Sequence, residues 1–253
     1  MARLRPYAPS RKPGLSFIIR ARNEALNIEK AVYSILHLAD EIILVDNGSK
    51  DQTLLKAQRM AREFPGLVRV FSYPHRLPRA GKEHTEAVRM GNHPNLVDYY
   101  NWCLAQSRFA NIVKWDADFI ATRALDEVVH QHRLRTRSDW FVLWFSGDTL
   151  FVSEKDVYRK RHPYYQEYRV FSARHGFRWV MNEAWSCETF DRRFIARTPV
   201  RIMIEESCFL EVKRTEIDEF SGRSSFLDRR DHEDWELLQA LKQGRPHDGL
   251  EPF

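Results

Sequence analysis

Asp116-Ala-Asp118 sets two carboxylates two residues apart, directly after the apolar run Ile112-Val-Lys-Trp115. At the end of a strand both can turn toward one hard cation. Mg2+ and Mn2+ take oxygen from one or two carboxylates and complete their shell with phosphate oxygens. Standing alone, a D-x-D in a loop reads equally as a capping or solvated pair. Two further polar clusters follow apolar runs in the same way: Arg20 to Glu24 after Leu15-Ser-Phe-Ile-Ile19, and Asp46-Asn47-Gly48-Ser49 after Glu41-Ile-Ile-Leu-Val45. Asn-Gly and Ser also favour turns without any ligand. In a parallel sheet, however, ligands gather outside the carboxyl ends of the strands. Three clusters remote in sequence then share one edge.

The elements that must position them follow from periodicity. Buried strands are expected at 15–19, 41–45, 68–71 and 112–115. Ala25, Ile28, Val32, Ile35, Leu36 and Ala39 recur at helical spacing, and further helices are expected over 51–63 and 95–107. Strand and helix in alternation predict an α/β fold, a mostly parallel central sheet with helices on both faces. Beyond residue 120 the pattern changes. A helix is expected over 122–135, an aromatic strand over 140–152, irregular chain over 154–200 and a last helix over 231–242, with Gly244 just past its end. Residues 1–14 read as a flexible basic arm: Arg3, Arg5, Arg11 and Lys12 meet no acid, and Pro6, Pro9 and Pro13 break structure. The remainder, 15–253, reads as one domain, with a ligand-binding half at 15–120 and an elaborated half at 121–253.

Composition excludes several classes. Of 253 residues 43% are hydrophobic and 30% charged, a globular balance. The longest apolar run, Trp140 to Phe145, is far short of the about 20 residues that span a membrane, and no apolar leader core follows Met1. A cytoplasmic setting follows, with the basic arm as a possible peripheral contact for an anionic inner membrane face. Net charge is only +5, with acids interleaved among the bases, so nucleic acid is not expected as a partner. Cys103, Cys187 and Cys208 form no C-x-x-C pair and read as buried, inert thiols. No two glycines stand two apart, which removes G-x-G-x-x-G, and Gly81-Lys82 lacks both flanks of a P-loop.

With its neighbours, the D-x-D resembles that of family 2 glycosyltransferases with the GT-A, Rossmann-like fold. Leu15 to Glu24 is similar to the family's first strand and its Asn-Glu turn. Ala39 to Thr53 is similar to its second strand with the V-D-x-G-S-x-D-x-T loop, and Tyr100 to Ala105 to the helix before the D-x-D strand. The resemblance covers roughly the first half of the chain. It implies that Ala21, Arg22, Asn23, Glu24, Asp46 and Asn47 hold the base and ribose of a nucleotide-sugar, with a UDP-sugar as donor. It implies that Asp118 binds Mn2+ or Mg2+ and that Asp116 contacts ribose or the metal. Many relatives carry Asp where this chain has Asn47. Lys114, Arg22 or Arg123 could add positive charge beside the diphosphate, although each also reads as a solvated cation.

The second half resembles bacterial lipopolysaccharide-core glucosyltransferases through Tyr168-Arg169-Val-Phe171, Gly176-Phe-Arg-Trp179 and Asn182-Glu183. Asn182 replaces their His, which weakens the case for a third protein ligand to the metal. Glu183 is the first choice for the general base that takes the acceptor hydroxyl's proton, with Asp191 and Asp148 behind it. Trp179 and Trp185 flank it and are the preferred acceptor platform over Tyr164 and Tyr165. Trp140 and Trp144 read as core, His130 and His132 as exposed, and His175 as a distant candidate ligand. The expectation is an inverting, metal-dependent transfer from a nucleotide-sugar to a saccharide or lipid-linked acceptor in surface polysaccharide or lipopolysaccharide synthesis. A sugar-phosphate nucleotidyltransferase and a non-catalytic binding module are the alternatives. The former usually opens with a Gly-rich loop, and the latter has no need of Asp116, Asp118 and Glu183 together.

Overall fold

A computed structural model describes residues 11–78, 82–91, 94–154, 156–162, 167–173, 177–182, 187–214, 229–245 and 250–253. β1 (Lys12–Ala21), β2 (Glu41–Asp46), β3 (Val68–Ser72) and β4 (Phe109–Asp116) pair in parallel in the order β3-β2-β1-β4. That is the order of half a doubly wound sheet. All six residues of β2 are buried, as befits a strand with parallel neighbours on both sides and helices above and below. The side-chain alternation of β1 separates two cores. Leu15, Phe17 and Ile19 join α1 (Ile28–Tyr33), α2 (Thr53–Glu63) and α5 (Arg123–Gln131) on one face. Ile18 joins α4 (Leu96–Ala105) on the other. Helices therefore cover both faces, as expected.

The parallel set ends at β4. There β8 (Glu167–Ser172) pairs antiparallel, and β6 (Phe141–Val152), β7 (Val157–Lys160) and β12 (Glu251–Pro252) continue antiparallel beyond it. The long β11 (Val200–Arg214) runs parallel to β6 and antiparallel to the short β5 (Phe119–Ala121). β9 (Trp179–Asn182) and β10 (Cys187–Phe190) form a separate two-stranded sheet. The stretch expected to be irregular thus carries β7 to β10 and a short helix, α6 (Arg192–Arg197). β11 and α3 (Lys82–Arg89) correspond to no expected element. The last helix, α7 (Arg229–Lys242), packs Leu237 and Leu238 on Phe151, and Gly244 beyond it has φ +67.

Boundaries differ in instructive ways. β1 begins at Lys12, not Leu15, because Arg11 ties its start to the end of α4 and the start of β4: its guanidinium donates to Leu104 O at 3.1 Å and to Phe109 O at 3.4 Å. Orphan carbonyls at a helix end take a cation readily, and residues 12–14 belong to the sheet rather than to an arm. Residues 1–10 lie outside the described residues. α1 is shorter than the apolar spacing suggests. After Tyr33 the bonds tighten to the 3-10 pattern, Ile35 N to Val32 O and Leu38 N to Ile35 O, while the buried face continues. α4 starts at a reciprocal capping box: Asn95 Oδ1 accepts from Asp98 N and Asp98 Oδ2 from Asn95 N. Among the described residues, no helix is long and apolar enough to cross a membrane.

Candidate active site

The carboxyl ends of β1 and β4 open on a cavity of about 480 Å3. One wall is the loop after β1, Ala21 to Glu24, and it is braced by the loop after β2. Asn23 takes a left-handed φ of 61°, which Asn tolerates better than most residues. Its Oδ1 accepts from Lys50 N at 2.8 Å and its N–H donates to Ser49 Oγ at 2.9 Å. Glu24 N donates to Thr53 Oγ1 and Ala25 N to Asp51 Oδ2. The sequence D-N-G-S-K-D-Q-T therefore serves first as a clamp on the Asn-Glu turn. Gly48, at φ +70, supplies the bend that lets Asp46 accept from its N–H at 3.0 Å.

Ala21, Arg22, Asn23, Glu24, Asn47, Asp116 and Asp118 line the cavity. Asp46 sits behind it: buried, its carboxylate is spent on the Gly48 and Ser49 amides. The Asn47 amide is likewise committed, donating to His75 O at 2.8 Å and accepting from Leu77 N at 3.3 Å. It presents the 75–77 segment to the cavity, where Leu77 and Pro78 form part of the lining. Arg22 donates to Leu77 O at 2.7 Å.

The opposite wall is charged. Asp116 accepts from Arg169 at 2.6 Å and lies 3.5 Å from Arg20, and Arg169 also holds Glu167 at 2.7 Å. Burial opposes ionisation of Asp116. Arg169, Lys114 and Arg20 outweigh it and hold the carboxyl well below the usual range. Asp118 pairs with Lys213 at 3.2 Å, and the same ammonium meets Glu211 at 2.7 Å. These partners come from β11. Glu211 and Lys213 are two apart on a strand, hence on one face, and the antiparallel register with β5 carries them to the D-x-D turn. The main chain repeats the link: Val212 N donates to Asp118 O at 2.9 Å.

Tyr99, Tyr100, Arg169, Glu211 and Lys213 were not assigned from sequence, and Arg20 entered only as the start of the first polar cluster. Tyr99 and Tyr100 read as the core face of a helix, and Arg169 as part of a motif. The alternation in Phe209 to Lys213 is the one signal that would have exposed β11. Other expectations are corrected. Asp191 does not line the cavity; it caps α6 by accepting from Arg193 N at 2.8 Å. Asp148 is buried away from the cavity, bound by Arg159 and by His162 N at 3.3 Å. Trp179 is core, 5% exposed among Phe171, Phe177 and Phe190. Arg123 is exposed and pairs with Glu127. Trp140 and Trp144, expected in the core, are half-buried and pack against it on Phe194 and Tyr168. His130 is exposed and His132 half-buried. Burial pushes the Cys103 and Cys208 thiols up to about 12, which keeps them inert; the Cys187 side chain lies outside the described residues. So do Tyr164, Tyr165, His175, Glu183 and Trp185.

Among the described residues no group of three His, Cys, Asp or Glu side chains is arranged to hold a metal. The donor set still suits a hard cation, since Asp116 and Asp118 are oxygen donors on one turn facing one cavity. Such ions are commonly held by one or two carboxylates, with substrate phosphates supplying the rest.

Residues 16–90 match the model of glycosyl transferase family 2. Comparison with curated proteins gives no match. Among solved structures the chain is similar to TarS of S. aureus, with 12% identity over 79% of this chain and 60% of that one, at a TM-score of 0.45. It is similar to the mannosyltransferase PcManGT of Pyrobaculum calidifontis in complex with GDP-Man and Mn2+, with 16% identity over 95% and 66%, at 0.49. It is also similar to glucosyl-3-phosphoglycerate synthase of Mycobacterium tuberculosis in complex with UDP, with 25% identity over 53% and 45%, at 0.34. The chain thus spans between 45% and 66% of the length of these three.

Proposed function

We propose, from the premise that residues 16–90 belong to glycosyl transferase family 2, that the chain transfers a sugar from a nucleotide-sugar to an acceptor hydroxyl. The observation that carries this reading is the convergence at one cavity of the Asn-Glu turn, Asn47 and the Asp116-Ala-Asp118 turn. Base and ribose lie along Ala21 to Glu24 and Asn47, with Asp46 acting through the turn it braces. The diphosphate lies toward Asp116, Asp118 and the cations beside them. A UDP-sugar is the proposed donor, within a single domain whose second half receives the acceptor.

Asp116 and Asp118 would hold Mn2+ or Mg2+. When bound, that ion supplies Lewis-acid neutralisation of the leaving diphosphate. The chain's own residues do the rest. Lys114 and Arg20 place fixed positive charge at the same wall, where preorganised charge favours departure of an anion. Glu183 is the proposed base for an inverting displacement. The acceptor is read as a saccharide or lipid-linked chain of a surface polysaccharide or lipopolysaccharide, reached from the cytoplasm at the membrane face. The likeness of 168–183 to core glucosyltransferases supports that part.

The test is donor turnover on a panel of UDP- and GDP-sugars with Mn2+ or with chelator. Turnover should require the metal, and Asp118→Ala should abolish it while the thermal transition is kept. Turnover in Asp118→Ala equal to wild type at saturating Mn2+ would remove the metal role. No nucleotide-sugar turned over or bound would remove the transferase reading.

A further inference from the structure

Arg20 is the penultimate residue of β1, in register with Val45 of β2 and Asp116 of β4. Its guanidinium lies over the Tyr100 ring, 3.8 Å from the centroid, and Lys114 Nζ lies 5.9 Å from the same ring. The side chain is only 9% exposed, yet it lines the cavity. Asp116 stands 3.5 Å from Nη2, too far for a good hydrogen bond, and gives its closer contact of 2.6 Å to Arg169. Glu188 lies near enough to bear on the charge of both Arg20 and Tyr100. Arg20 Nη2 makes no hydrogen bond among the described residues. The fork is thus held weakly, by a 3.5 Å ion pair and a ring face, and its residue lines the cavity, where a ligand oxygen can serve as a further acceptor.

We propose that Arg20 is a built-in, metal-independent anion contact whose guanidinium donates to a phosphate oxygen of a nucleoside diphosphate group. Tyr100 is the platform that fixes the plane of its fork. A planar guanidinium stacked on a ring is preorganised for phosphate oxygens in a way an ammonium is not. The proposal rests on the reading of the cavity as the donor site, and it adds that part of the diphosphate affinity persists without metal.

The experiment is calorimetric titration of the full chain, in EDTA and again in Mn2+, with UDP, uridine, GDP and guanosine. In EDTA the preferred diphosphate should bind at least tenfold tighter than its own nucleoside. Arg20→Met should reduce that ratio to near one and leave nucleoside affinity unchanged. Arg20→Lys should recover only part of it, and Tyr100→Leu should lower it with Arg20 intact. These last two variants carry the test if Arg20→Met fails to fold. An unchanged ratio in the folded Arg20 variants overturns the proposal. So does diphosphate binding that appears only with Mn2+, a result that leaves the donor-site reading standing. Failure of both diphosphates to outbind their nucleosides in Mn2+ as well as in EDTA would instead sink the donor-site reading.

Discussion

Single carboxylates divide sharply by what holds them. Asp191 and Asp148 are acidic and near the acceptor-side sequence, but one is a helix cap and the other an arginine partner. Neither faces the cavity. Glu211 does, and it is already engaged by Lys213 at 2.7 Å. A base must instead keep a carboxylate oxygen free to accept the proton of the acceptor's hydroxyl. Glu183 remains the proposed base on its motif. Glu183→Gln should cut transfer by roughly 10²–10⁴-fold, the range for general-base catalysis, with donor affinity nearly unchanged. Paired measurements of donor Kd and transfer rate check it. Transfer within a few-fold of wild type would strike Glu183 from the mechanism. What was legible at this scale was the turn chemistry: Asn23, Glu24, Asp116 and Asp118 face the cavity as their positions after apolar strands require. Asp46 reads the same from sequence whether its carboxylate caps a turn or touches a ribose. Only the hydrogen bonds to Gly48 and Ser49 tell the two apart.

Among the elements, β11 decides whether the D-x-D turn is held in place, and one glycine admits it. A Cβ on Gly147 of β6 would fall 2.2 Å from the Phe209 ring. That ring stacks on Phe119 at 3.8 Å with 10° between planes, and Phe119 follows Asp118 directly. Gly147→Ala should therefore cost about 1–3 kcal/mol through overpacking. It should also loosen the Asp118 turn, so that Mn2+ affinity falls along with the melting temperature. A variant as stable as wild type would show that Phe209 has room to move. The strands that were legible, β1, β2 and β4, are apolar runs closed by turn residues, because both their faces are buried. β11 was not, because its first half is largely exposed and carries no continuous apolar run. Glu205 and Glu206 also interrupt it, and the pairing register shifts between Ile204 and Phe209. β7 to β10 are short and lean on aromatic contacts between distant residues, such as Phe177 with Phe190 and Phe194. No local period records such contacts.

The whole molecule is pinned at the pole opposite the cavity by a single buried acid. Glu41, at the start of β2, accepts from Ser16 of β1 at 2.7 Å, Arg69 of β3 at 3.0 Å and Arg108 before β4 at 2.8 Å. Four neighbouring segments of the parallel sheet thus meet at one carboxylate. Burial would raise its pKa, but the Arg108 amide, Ser16 and the two guanidiniums prevail and lower it. A lowered pKa stabilises the fold above the unfolded value of about 4.3, and that contribution fades as pH falls through the folded value. Glu41→Gln should therefore be less stable than wild type by about 1–3 kcal/mol at neutral pH, with the gap closing in acid. Denaturant melts at pH 7 and below pH 4 check the sign. A gap that widens in acid would mean that Glu41 is not held as the ionised form.

The bridge from Lys213 to Asp118 joins residues 95 apart in sequence, and this separation becomes an interval of time when the chain is made. At synthesis rates of about 5–20 residues per second, Lys213 follows Asp118 from the ribosome by roughly 5–20 s. Throughout that interval the nascent parallel sheet can close around Glu41 while its acidic turn has neither Lys213 nor Glu211 beside it. The wall built from the loops after β1 and β2 is consequently older than the charged wall in every molecule produced. A chain released early would carry the first without the second.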